Sequence, residues 1–116
     1  MSKRDVRLFL LDMLDAIAKI DRYTRGLNFE RFAQESLVVD AVVRNLEIIG
    51  EAAKHVPETM RQQYTGVKWK RVVGFRNIVV HEYFDVDIEI VWTIVKEQLP
   101  ILKQVLQSML ADLDGN

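Results

Sequence analysis

Seven apolar residues near the start of the chain, Val6, Phe9, Leu10, Met13, Leu14, Ile17 and Ile20, recur at intervals of three and four. That period lays one greasy stripe along a helix and cannot line one face of a strand. It predicts an amphipathic helix over residues 3 to about 23, with Arg4, Arg7, Asp12, Asp15 and Lys19 mainly on the opposite side. The same period returns in Leu37, Val38, Ala41, Val42, Leu46, Ile49 and Ala53, while no alternating run with a hairpin turn occurs anywhere. The expected fold is therefore an all-α, up-and-down bundle of four to five helices.

Punctuation divides the chain. Gly26 and Asn28 break the first helix, and Asn28 can cap the next one. Residues 29 to about 55 read as a short turn and then a long helix, with Ser36 as a second candidate cap. Gly50 lies inside that helix, where glycine costs about 1 kcal/mol against alanine; a close helix crossing would offset it. Pro57 opens a short turn ending near Tyr64, and residues 65–68 form a loop. A central helix is expected over 69 to about 83, and a last one capped by Asp85 or Asp87 and running to about Leu113. Pro100 lies inside the last helix and predicts a kink or break near Leu99.

Composition narrows the function. The 116 residues, 49% hydrophobic and 28% charged, can bury a core and are expected to form one domain, 1–116. A net charge of −1 argues against coating nucleic acid by bulk charge, so any such contact must be local. With no cysteine, and two histidines not spaced His-x-x-x-His, a zinc site is not expected. Asp5, Arg7 and Asp12 interrupt the apolar opening, and no span could cross a membrane, so a cytoplasmic protein is expected.

The chemistry concentrates in Gly74 to Asp87, GFRNIVVHEYFDVD. Arg76, Asn77, His81 and Tyr83 lie within eight residues, among Phe75, Ile78, Val79, Val80, Phe84 and Val86. At about 100° per residue, Asn77 and His81 share a face some 40° wide, with Arg76 flanking Asn77 and Tyr83 two turns from Arg76. Gly74 falls in the His81 column, where another backbone or a ligand could approach. Val72, Phe75, Ile78 and Val79 take the opposite arc and can face the core. A face mixing apolar residues with Arg and His suits an interface, and we expect a homodimer pairing these faces.

These residues resemble a HepT-type protein of the HEPN superfamily, the toxin half of a toxin–antitoxin pair. The resemblance rests on RDVRLFLLDMLDAIAKI, RNLEIIGEAAKHVP, KWKRVVGFRNIVVHEYFDVD and VWTIVKEQLPIL, and above all on Arg76-Asn77, His81 and Tyr83. In one departure, the loop before the central helix reads TGVKW, where relatives often carry a proline. The resemblance implies a metal-independent endoribonuclease without a cofactor, acting on RNA through Arg76 and His81. It also implies a partner, a minimal nucleotidyltransferase antitoxin that adenylylates Tyr83. A histidine titrating near pH 6.5 suits proton transfer, and a guanidinium fork suits phosphate. The motif carries one histidine per chain, so a two-fold dimer would bring two together.

Other uses of these residues stay open. Arg76 could pair with an acid such as Glu51, and Tyr83 could be a core-edge residue. Glu47 and Glu51, four apart, read as a carboxylate pair or as a polar stripe. His55, beside Pro57, reads as a helix-terminus residue, and Trp69 and Trp92 as packing. The alternative function is a non-catalytic HEPN scaffold holding a nucleotide or a partner.

Overall fold

A computed structural model describes residues 2–77 and 87–115 of the chain. His81, Tyr83, Asp85 and the expected end of the central helix lie outside the described residues. The described elements are helical: α1 (Lys3–Thr24), α2 (Phe29–Gln34), α3 (Ser36–Lys54), α4 (Glu58–Gln63), α5 (Trp69–Val73), α6 (Ile88–Thr93) and α7 (Leu99–Asp114). One π turn, Ile94–Gln98, joins α6 to α7. The all-α expectation holds. No helix is long and apolar enough to cross a membrane among the described residues.

The first helix lies where the stripe predicts. Ser2 caps it, its hydroxyl accepting from the Asp5 N–H while the Asp5 carboxylate accepts from the Ser2 N–H, a reciprocal box that satisfies two orphan donors. Val6, Leu10, Met13, Ile17 and Ile20 are buried, with Phe9 and Leu14 packed at the margin of the core. Gly26, at φ 79°, reverses the chain, and the Asn28 side chain accepts from the Arg31 N–H at 2.9 Å to start α2. Ser36 does not cap α3: it is the first helical residue, and Glu35 precedes it with no side-chain cap bond.

Three rods make the bundle. Phe9, early in α1, stacks on His55 just past the end of α3, so α1 and α3 run antiparallel. Arg7 pairs with Asp114 at 3.0 Å, so α7 ends beside the start of α1. At the opposite end Trp92 of α6 packs on the Phe32 ring, centroids 4.9 Å apart. Phe32 is fully buried there, worth about 1.5–3 kcal/mol of transfer free energy.

Two features depart from simple rods. Ahead of Pro100 the last rod widens instead of breaking: the Leu99 N–H reaches back five residues to the Ile94 carbonyl. Proline has no N–H and its ring crowds the carbonyl four residues earlier, and a π turn accommodates both. The central helix is also not continuous from residue 69. It turns at Gly74, and residues 75–77 resume a helical path, with the Asn77 N–H on the Gly74 carbonyl at 2.9 Å. Val72 and Phe75 face the core as expected. Asp87 caps α6 with one carboxylate oxygen on the Glu89 and Ile90 N–H groups. Trp69 is buried and donates from Nε1 to the Tyr64 carbonyl, and the Tyr64 hydroxyl is held by the Asp112 carboxylate.

Candidate active site

The site starts from a missing side chain. A Cβ built on Gly50 would lie 2.8 Å from the Arg76 nitrogen, 3.0 Å from the Val73 carbonyl oxygen and 3.1 Å from that of Val72. Only glycine lets the main chain of residues 72–76 press against α3 this closely, which is the crossing that a mid-helix glycine suggested. Among the described residues, the atoms nearest a Cβ at Gly74 are the carbonyls of Lys70 and Arg71, in the turn before it.

With its backbone fixed over Gly50, Arg76 reaches the next residue of α3. Its Nε lies 3.3 Å from Glu51 Oε2. The other Glu51 oxygen faces His55 Nε2 at 3.7 Å, one helical turn further on. The His55 ring stacks on Phe9 of α1, centroids 4.8 Å apart and planes 14° from parallel. Arg76, Glu51 and His55 thus form one chain of polar groups, with side-chain exposures of 39%, 51% and 43%. Half-open groups like these are reachable from solvent, so their role is not that of a sealed structural pair.

Together they line a cleft of about 410 Å³ between α1, α3 and the segment after Gly74. Asp12, Arg44 and Glu47 complete its charged wall, and Arg44 sits 3.5 Å from Glu47. Glu47 and Glu51 therefore each hold an arginine rather than each other. Three acids face two arginines, so a bound phosphate must compete with Glu51 for Arg76. Of the residues expected to act, the structure brings Arg76 and Glu51 together and leaves Asn77 exposed beside them. His81 and Tyr83 lie outside the described residues. Sequence reasoning missed the contact of His55 with this cleft. The i, i+4 spacing of Glu51 and His55 was the available signal, and Phe9 lay too far along the chain to be paired with it.

Comparison with known proteins agrees with the motif. Residues 13–109 match the family model described as Ribonuclease HepT-like. The chain is 39% identical over 107 residues to "Putative RNase MJ1380" of Methanocaldococcus jannaschii, covering 92% of this chain and 98% of that protein. It is 38% identical over 101 residues to "Probable ribonuclease HepT" of Thermococcus cleftensis, covering 87% and 92% respectively. No solved structure matches the chain. A match across 13–109 takes in most of the three rods, the cleft residues from Arg44 to Arg76 and the whole Arg76–Tyr83 stretch of sequence; the chain belongs to the Ribonuclease HepT-like family.

Proposed function

We propose that this chain is a metal-independent endoribonuclease, the toxin of a HEPN toxin–antitoxin pair, with Arg76 and His81 as its catalytic residues. The observation that carries the reading is Arg76 itself. It stands over Gly50, is oriented by Glu51 and is open to a cleft, in a chain of a ribonuclease-named family. In the proposed reaction the substrate's 2′-oxygen attacks the adjacent phosphorus as a base takes its proton. The bond from phosphorus to the 5′-oxygen breaks, and that oxygen takes a proton from an acid. His81 supplies proton transfer, while Arg76 offsets the charge gathering on the phosphate, the task a metal ion performs in other nucleases. Asn77 supports the phosphate or the imidazole. Because the motif carries one histidine per chain, the active form is a homodimer that sets two motifs in one cleft.

Control rests on the same motif. The antitoxin, a minimal nucleotidyltransferase, transfers AMP from ATP to the Tyr83 hydroxyl and releases pyrophosphate. The added phosphate would occupy the cations that RNA needs and repel the RNA backbone. Tyr64 is a poorer acceptor, since its hydroxyl donates to Asp112. That bond first, then burial and the carboxylate's charge, raise the phenol above its ordinary pKa.

The test is digestion of RNA by the pure protein in excess EDTA, with analysis of product ends. We expect cleavage to persist and to leave 2′,3′-cyclic phosphates. Activity abolished by chelator and restored by magnesium would contradict the mechanism. RNA binding without any cleavage would favour the non-catalytic scaffold.

A further inference from the structure

His55 ends α3, where a histidine ordinarily serves by covering the last free carbonyls. Here that work is done by another residue. Arg61 of α4 donates from Nη2 to the Lys54 carbonyl at 3.0 Å and from Nε to the Val56 carbonyl at 2.9 Å. The His55 backbone N–H bonds Ala52 within its own helix, and its side chain turns back along α3 into the cleft. There one face of the ring rests on Phe9 and its Nε2 edge points to Glu51, the carboxylate that also holds Arg76. The side chain remains 43% exposed. An imidazole stacked on one face, with a carboxylate 3.7 Å from its Nε2 edge that it shares with Arg76, and still open to solvent, is placed to exchange protons with a bound group.

We infer that His55 is a second proton-transfer residue of this site, with Glu51 and Phe9 as the residues that position it. The inference rests on the ribonuclease reading and adds a group to it. Cleavage needs one proton removed from the 2′-oxygen and one delivered to the departing 5′-oxygen; the homodimer brings one motif histidine from each chain, and His55 gives each of them a companion imidazole for the second transfer. His55 provides a second imidazole from the same chain, on the cleft wall that Arg76 shares. The proton taken and the proton given balance, and both imidazoles return to their starting states through solvent. Among the described residues, the charged groups that share the cleft with His55 are Asp12 of α1, Arg44, Glu47 and Glu51 of α3, and Arg76, while Lys54 precedes it and Arg61 of α4 lies on the carbonyls either side of it.

The experiment compares single-turnover cleavage of one RNA by wild type, His55→Ala, His55→Asn and Phe9→Leu across pH 5–9. General acid–base groups contribute about 10²–10⁴-fold. We expect both His55 variants to lose at least about a hundredfold in kcat with KM little changed, and to lose one limb of the pH profile. Phe9→Leu keeps both limbs at a reduced rate. His55→Asn retains a polar side chain of similar size, so it reads chemistry even if the alanine variant folds poorly. Cleavage by His55→Asn at the wild-type rate, or a loss confined to KM, or a slowed enzyme with both limbs intact, overturns the inference and leaves the ribonuclease reading standing. A wild-type protein that cuts no RNA overturns the ribonuclease reading and this one with it.

Discussion

Replacing Gly50 by alanine puts the link between fold and site under direct strain. In an ordinary helix interior the change stabilises by about 1 kcal/mol. Here the new methyl would meet three main-chain atoms at 2.8, 3.0 and 3.1 Å, none of which can rotate away. Restoring a normal contact of roughly 3.5 Å requires α3 and residues 72–76 to separate by about 0.7 Å. A gap of that size forfeits about a quarter to a half of the dispersion energy along the seam. Overpacking costs about 1–3 kcal/mol, and three simultaneous contacts place this site in the upper half of that range. Subtracting the gain in helix propensity leaves a net loss of about 1–2 kcal/mol, or roughly 4–8 °C in Tm for a chain of this size. Thermal and urea melts of Gly50→Ala measure it, with Gly66→Ala as the comparison. A methyl at Gly66 meets only Val105 Cγ2, at 3.7 Å, an ordinary contact, so that variant should hold or slightly raise Tm. A Gly50→Ala protein more stable than wild type would refute the close crossing and the placement of Arg76 that depends on it.

Individual contacts carry further expectations. Glu51→Ala should change stability by less than about 1 kcal/mol, because its partners are half-exposed, yet should slow RNA cleavage about tenfold or more by releasing Arg76; a rate equal to wild type would deny Glu51 a positioning role. Arg61→Ala removes two bonds to the carbonyls that end α3 and should lower stability by about 1–2 kcal/mol in a urea melt. Co-expression with the cognate nucleotidyltransferase should add adenylyl mass at Tyr83, and Tyr83→Phe should abolish the shift while the two proteins still associate. Intact-mass spectrometry decides this, and modification at Tyr23 or Tyr64 instead would count against the regulatory scheme.

Much of this architecture was readable from local rules. The stripe from Val6 to Ile20, the Asn28 and Asp87 caps and the disturbance before Pro100 each arise from residues a few positions apart. Gly50 was legible as a crossing because a glycine inside a long apolar helix demands a packing reason. What it crosses was not legible, since that depends on a segment more than twenty residues away. The break at Gly74 escaped because the 3.6-residue pattern runs on through it, and glycine also tolerates a helical interior. Ser36 has the chemistry of a cap, but Glu35 takes the position because α2 ends only one residue earlier. At the site, the pairing of Arg76 with Glu51 was one of two uses open to the arginine. The turn of His55 into the cleft needed Arg61 and Phe9, one from each side of α3 in the chain, and no spacing rule connects them.

The most direct measurement is the cleavage rate of one defined RNA by wild type, Arg76→Ala and His81→Ala, with each protein's melt recorded alongside. Arg76 makes a half-exposed ion pair, so its alanine variant should keep a Tm within a few degrees of wild type. The account predicts a fall of at least about a hundredfold for both variants. If both proteins cut that RNA as fast as wild type, the cleft and its motif are not the site of catalysis.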